Sequence, residues 1–130
     1  MTDNSENTTL IFHNPRCSKS RMALELLRGR GIEPTVIEYL KTPPSREELG
    51  RVLALLGMEP RALMRRKEDE YLALNLDNPD LTRDELIDAM LSHPRLIERP
   101  IVIAGGKAIL GRPPERVLDL IQAPTDGHSS

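Results

Sequence analysis

The chain has 130 residues, 38% of them hydrophobic and 29% charged, which is typical of one folded globular domain and not of a disordered chain. Its 18 basic and 20 acidic residues give a net charge of −2, which argues against broad binding to nucleic acid or a membrane surface. One Phe, two Tyr and no Trp are too few aromatic residues for a base-stacking platform.

The single cysteine, Cys17, excludes an internal disulfide and, with only three histidines, a Cys-rich zinc site. We also expect no metal and no tightly bound cofactor. A lone thiol fits a reducing compartment, and residues 1–7 lack a secretory signal pattern, so we expect a cytoplasmic protein. Polar, aperiodic segments at 1–7 and 123–130 are expected to be flexible tails around a single domain over residues 8–122.

The first third of the chain has the pattern strand, helix, strand. Thr8–Phe12 (TTLIF) is a short strand candidate, a helix is predicted from about Ser20 to Arg30, and Gly31 would stop it. The helix would bury one face made of Ala23, Leu24, Leu26 and Leu27. The second strand is predicted over Pro34–Leu40, parallel to the first because the helix supplies a right-handed crossover.

The middle of the chain is predicted to be helical. Ser45 and Glu48 form a capping box that opens a helix ending at Gly57, and Thr82 and Glu85 open another that reaches about Ser92. Between these helices, Pro60–Leu76 suggests short helical turns broken by the charged run Arg65–Glu70.

The last third is predicted to be a hairpin and a helix. Apolar runs at Pro100–Ala104 and Ala108–Leu110 flank Gly105-Gly106. Pro113-Pro114 then open a final helix with Val117, Leu118 and Ile121 facing inward. The order β-α-β, helices, β-β-α predicts an α/β protein with a thioredoxin-like fold and a helical insert.

Cys17 lies in a loop between the first strand and the first helix. A helix starting near Ser18 would place Cys17 at its N-cap, where unpaired N–H groups and the helix dipole favour a reactive thiolate. Arg16, Lys19 and Arg21 add positive charge. The Ser20 hydroxyl is a candidate donor to the sulfur, and so is a protonated His13. The same geometry suits a tetrahedral oxyanion.

Other interpretations of this cysteine are weaker. A lone free cysteine is most often a small buried apolar residue, but the surroundings of Cys17 are polar and cationic. A tyrosine-phosphatase loop needs an arginine six positions after the cysteine, where this chain has Ala23. A Cys-x-x-Cys redox centre needs a second thiol where this chain has Ser20.

Taken together, six motifs resemble the ArsC family, the glutaredoxin-coupled arsenate reductases, from about Thr8 to Gln122. The motifs are Phe12–Arg21 (FHNPRCSKSR), Tyr39–Pro44 (YLKTPP), Arg61–Arg65 (RALMR), His93-Pro94, Glu98–Val102 (ERPIV) and Gly111–Pro114 (GRPP). This family has a thioredoxin-like fold with a helical insert. Ser18-Lys19 stands where dedicated resistance enzymes carry Gly-Thr, and the tail is short, so the chain is most similar to a shorter, housekeeping-like branch.

The resemblance implies a role for each matching residue. Cys17 matches the catalytic cysteine, and the arginines that hold arsenate and its thiol adduct match Arg65, Arg99 and Arg112. His13 and Ser20 match residues thought to lower the thiol pKa, and Pro100 matches a cis proline beside the cysteine loop. From the residues alone, Arg65 fits a solvated charged run, while Arg99 and Arg112 fit local turn contacts before prolines.

Counting electrons extends this implication. Reducing arsenate to arsenite takes two electrons, which two thiols supply by forming one disulfide, and this chain has one thiol. The expected partners are therefore arsenate, glutathione as co-substrate and glutaredoxin, with no nucleic acid and no membrane. Two alternatives remain open: a non-enzymatic, redox-linked regulator of the same fold that binds RNA polymerase, and a glutathione-dependent thiol reductase acting on another substrate.

Overall fold

A four-stranded mixed sheet organises the two ends of the chain. The computed structural model describes residues 9–120, so the predicted tails and Ile121 lie outside it. The strands are β1 (Leu10–Phe12), β2 (Thr35–Ile37), β3 (Ile101–Ala104) and β4 (Lys107–Leu110), in the order β2-β1-β3-β4. β1 is parallel to β2 and antiparallel to β3, and β3 is antiparallel to β4. The thioredoxin-like prediction is confirmed.

Helix α1 (Ser18–Gly29) crosses from β1 to β2 and begins two residues earlier than predicted. Its early start follows from Cys17, which has extended backbone angles and serves as the N-cap. Gly31 ends the segment with φ of +81°, a conformation that glycine adopts without steric cost. The predicted apolar face is confirmed, since Ala23, Leu24 and Leu27 are buried in a core with Ile11, Val102 and Val117.

The hairpin and the last turn follow the sequence pattern closely. Gly105 and Gly106 both have positive φ, as a two-residue turn between right-twisted strands requires. A 3₁₀ turn at Pro114–Arg116 leads into a helix that is described over residues 117–120. Val117 is fully buried there, which supports the predicted inward face.

The middle segment contains three α-helices: α2 (Arg46–Leu56), α3 (Asp69–Ala73) and α4 (Arg83–Ser92). Both capping boxes are present as predicted, with Ser45 and Thr82 each accepting from the backbone N–H of the glutamate three residues on. Two 3₁₀ turns, Pro60–Leu63 and Pro94–Leu96, complete it. The charged run Arg65–Glu70 interrupts the helical structure only in part, because its last two residues, Asp69 and Glu70, begin α3.

Strand β2 ends at Ile37, three residues before the predicted end. Tyr39 is fully buried, and its hydroxyl donates to the carbonyl of Ile97 at 3.3 Å. This side chain belongs to the core of the middle segment, so the chain leaves the sheet before reaching it.

Contacts divide the chain into two compact units, which we call the sheet unit (up to Glu38 and from Arg99 onward) and the helical unit (Tyr39–Glu98). The expectation of one domain over residues 8–122 stays a prediction. No helix within residues 9–120 is both long and apolar enough to cross a bilayer.

Candidate active site

The thiol of Cys17 lies at the N-terminus of α1 and is partly exposed. Its backbone N–H donates to the carbonyl of Asn14 at 3.0 Å, and its carbonyl accepts from the N–H of Arg21 in the first turn. The backbone N–H groups of Lys19 and Ser20 hydrogen bond to the sulfur. The helix start therefore gives the sulfur two donors and the positive end of the helix dipole.

The pKa of the Cys17 thiol lies below its usual value. Partial burial raises the pKa, but hydrogen bonds from the Ser20 N–H, the Arg99 side chain and the Lys19 N–H lower it by more in total, and the charge of Arg99 adds to them. All of these donors favour the negatively charged form of the sulfur. The structure thus places a thiolate-stabilising environment around the cysteine that the sequence pattern singled out.

Arg99 and Arg112 lie together in the sheet unit. Arg99 lies two residues before the start of β3, and its side chain reaches the sulfur of Cys17. Arg112 follows β4, and its Nε donates to the carbonyl of Arg99 at 3.0 Å. Nε of Arg99 is a buried atom that has no hydrogen-bond partner within residues 9–120. The sheet thus brings two of the three predicted arginines to the cysteine loop.

The backbone segments that carry Arg99 and Arg112 lie very close to each other. The N–H of Gly111 donates to the carbonyl of Pro100 at 2.9 Å, and the Arg99–Pro100 peptide bond is cis, as the resemblance implies. A Cβ on Gly111 would lie 2.8 Å from Cγ of Pro100 and 3.0 Å from a methyl of Val117. Only glycine fits there without displacement. The Arg112–Pro113 bond is also cis, which the sequence did not indicate.

The buried side chains of His13 and Ser20 form hydrogen bonds beneath the loop that carries Cys17. Both side chains are buried, and Nδ1 of His13 and Oγ of Ser20 share a hydrogen bond of 2.6 Å. Oγ of Ser20 also accepts from the N–H of Asn14 at 3.1 Å. The hydroxyl predicted as a donor to the sulfur is thus engaged with His13 and Asn14, and it is the backbone N–H of Ser20 that faces the sulfur.

The pKa of His13 lies below its usual value. Burial is the largest cause, and Arg28 and Arg21 lower the pKa further, while Glu38 raises it. A lowered pKa leaves the ring neutral at pH 7. The expectation that a protonated His13 assists the sulfur therefore finds no support in the electrostatics, and its contact with the loop runs through Ser20.

Arg65 belongs to the helical unit, where two carboxylates hold it. Its Nε donates to Glu68 at 3.0 Å and its Nη1 to Glu98 at 3.2 Å. Burial lowers the pKa of Arg65, but these two carboxylates raise it by more, so the pKa lies above its usual value and the group stays charged. Its backbone N–H donates to the carbonyl of Leu96 at 2.7 Å, within the same unit. Arg65 is therefore more than the solvated surface residue of the local interpretation.

Asn14 is a buried residue of the cysteine loop to which the sequence pattern assigned no role of its own. It is 7% exposed, and its Oδ1 accepts from the N–H of Arg16 at 3.0 Å. The available signal was an asparagine before a proline, which favours a turn stabilised by the asparagine side chain. Within residues 9–120 there is no group of three or more His, Cys, Asp or Glu side chains suited to holding a metal ion.

Comparison with known proteins gives close relatives. A family model described as the ArsC family matches residues 12–120. An arsenate reductase of Neisseria meningitidis is 55% identical over 108 residues, covering 82% of this chain and 92% of that protein. The Escherichia coli protein named uncharacterized protein YfgD is 54% identical over 112 residues, covering 85% and 94%. The solved structure of an arsenate reductase from Vibrio cholerae is 53% identical with a TM-score of 0.85, covering 88% and 98%. The chain belongs to the ArsC family.

Proposed function

We propose that this protein is an arsenate reductase that uses Cys17 as its nucleophile. Relatives more than 50% identical carry that name and cover most of the chain. The observation that carries the proposal is the sulfur at a helix N-terminus with the guanidinium of Arg99 in hydrogen-bond reach. That combination suits an attacking thiolate together with the oxyanion it attacks.

The arginines are proposed to hold the oxyanion. The buried Nε of Arg99 has no partner within the described part of the chain, and a bound oxyanion would supply an acceptor for it. The Nε of Arg112 donates to the backbone carbonyl of Arg99, which holds the Arg112 guanidinium beside the Arg99 backbone. Arg65 is the third ligand that the family resemblance implies. Guanidinium groups suit this task because they pair two oxygens at once and stay charged throughout.

The first two steps proposed leave arsenic in its pentavalent state. The Cys17 thiolate attacks arsenate, a sulfur–arsenic bond forms, and one arsenate oxygen leaves as water after protonation. Glutathione then adds its sulfur to the same arsenic, and a second oxygen leaves as water. The site's donors stabilise the anionic oxygens during both substitutions.

The reduction step is proposed to use glutaredoxin. Its thiolate attacks the glutathione sulfur and forms a mixed disulfide, while the electron pair of the arsenic–glutathione bond stays on arsenic. Arsenic thereby gains the two electrons that the two external thiols lose. Water then breaks the remaining sulfur–arsenic bond, and arsenite and the Cys17 thiolate are released. A reducing cytoplasm would supply glutathione and glutaredoxin.

The test is an arsenite-formation assay with purified protein, arsenate, glutathione and glutaredoxin. The wild-type protein is expected to form arsenite, and omitting glutathione or glutaredoxin should reduce the rate to background. Cys17→Ser should abolish turnover, while Ser18→Ala, a change at the exposed neighbour, should retain it. Turnover that survives Cys17→Ser would remove the sulfur from the mechanism.

A further inference from the structure

The cysteine loop has exposed residues on its outer side and buried polar side chains beneath them. Pro15 and Arg16 are exposed and Cys17 is half-buried, whereas His13, Asn14 and Ser20 are 7% exposed or less. A short exposed loop is mobile unless buried groups form hydrogen bonds with its backbone N–H and carbonyl groups. The direction of the sulfur therefore depends on which buried groups hold the loop.

Asn14 makes three of these connections. Its N–H donates to Oγ of Ser20 at 3.1 Å, and its carbonyl accepts from the N–H of Cys17 at 3.0 Å. Its side-chain Oδ1 accepts from the N–H of Arg16 at 3.0 Å. Asn14 thus links the buried hydroxyl of Ser20, the loop backbone at Arg16 and the backbone of Cys17.

We infer that Asn14 is a positioning residue that fixes the direction of the Cys17 sulfur through its side-chain oxygen. Oδ1 holds the loop between Asn14 and Arg16 in a turn, and this turn brings the N–H of Cys17 onto the Asn14 carbonyl. The sulfur is then aligned with the N–H groups of Lys19 and Ser20. Asn14 acts on the thiol through the loop and does not touch substrate. The inference rests on the proposed function only in treating the sulfur as a nucleophile.

The side chain fits this position for a chemical reason. An asparagine oxygen accepts a hydrogen bond two residues along the chain, which serine does less strongly and alanine not at all. An aspartate would make the same turn but would add a negative charge near the sulfur, and a like charge raises a thiol pKa. Asparagine therefore gives the turn without opposing the thiolate.

The test compares Asn14→Ala and Asn14→Ser with a matched control, Asn78→Ala. Asn78 forms the same local bond, its Oδ1 accepting from the N–H of Asp80 at 3.0 Å, but in the helical unit. The readout is the rate of Cys17 alkylation by iodoacetamide against pH, followed by kcat for arsenate. Because the chain has one cysteine, the alkylation rate reports this sulfur alone.

Asn14→Ala is expected to raise the alkylation midpoint by about one pH unit and to lower kcat at least about tenfold, since loss of aligned donors returns a thiol towards its free value. Asn14→Ser should give intermediate values, and Asn78→Ala should match the wild type in both. If Asn14→Ala does not fold, Asn14→Ser is compared with the control alone. A folded variant with an unchanged midpoint and unchanged kcat would overturn the inference. If wild type forms no arsenite but the midpoint still shifts in the variant, the proposed function fails and the inference stands.

Discussion

Replacing Gly111 with alanine tests how tightly the arginine-bearing segments are packed. The new Cβ would lie 2.8 Å from Cγ of Pro100 and 3.0 Å from a methyl of Val117. Carbon atoms prefer separations of roughly 3.5–4.0 Å, so these segments must move apart by about 1 Å. The proline ring is rigid and Val117 is fully buried, so neither gives way easily. Overpacking of this kind costs about 1–3 kcal/mol.

The substitution should also lower activity, because Gly111 precedes Arg112 and Pro100 follows Arg99. A displacement of about 1 Å at positioning groups can cost about 100-fold in rate. We expect Tm to fall by about 3–5 °C for each kcal/mol lost, and kcat/KM to fall by about 10- to 100-fold. Thermal unfolding and the arsenite assay measure the two effects.

Gly50 offers the matched control, since it lies within α2 and an added Cβ meets nothing within 4 Å. Gly50→Ala should raise stability by roughly 0.5–1 kcal/mol, as alanine favours a helix over glycine, and should leave kcat/KM unchanged. The same chemical change is thus predicted to have opposite signs at two sites. A Gly111→Ala protein as stable and as active as the wild type would refute the packing argument.

Two further predictions concern charge and protonation. Arg99→Gln should raise the midpoint of Cys17 alkylation by about one pH unit, because it removes the opposite charge in hydrogen-bond reach of the sulfur; an unmoved midpoint would contradict this contact. For His13 the folded pKa lies below the ordinary value of about 6.5, so the unfolded chain binds this proton more readily. The contribution of neutral His13 to the free energy of unfolding is complete above about pH 6.5, and it is lost as the pH falls through the folded pKa. His13→Asn, which keeps an acceptor for Ser20, should flatten the dependence of unfolding free energy on pH in that window, and an identical slope in urea denaturation would count against a lowered pKa.

Local chemistry was sufficient to predict much of the fold. Both capping boxes and the Gly105-Gly106 turn are present, because each is decided by residues within three or four positions of one another. The position of Cys17 at the N-cap of α1 was predictable for the same reason, since it too is decided by neighbouring residues. The hydrophobic period likewise identified the buried face of α1.

Features that depend on distant residues were harder to predict. Arg65 looked like part of a solvated charged run, since one of its two carboxylate partners, Glu98, lies 33 positions away. Strand β2 ends early because Tyr39 bonds to the carbonyl of Ile97, 58 positions away. The hydroxyl of Ser20 turns to His13, whose ring direction no local pattern specifies. Pairings of this kind are set by how segments pack, and a single sequence carries no local signal for them.

The most direct measurement of the central claim is a spectroscopic titration of the only thiol in the chain. Thiolate absorbs ultraviolet light more strongly than thiol, and Cys17→Ser supplies the background from the tyrosines. If helix N–H groups and Arg99 hold the sulfur as an anion, the midpoint will lie clearly below the value of about 8.5 for a free cysteine. A midpoint at or above that value would contradict the account.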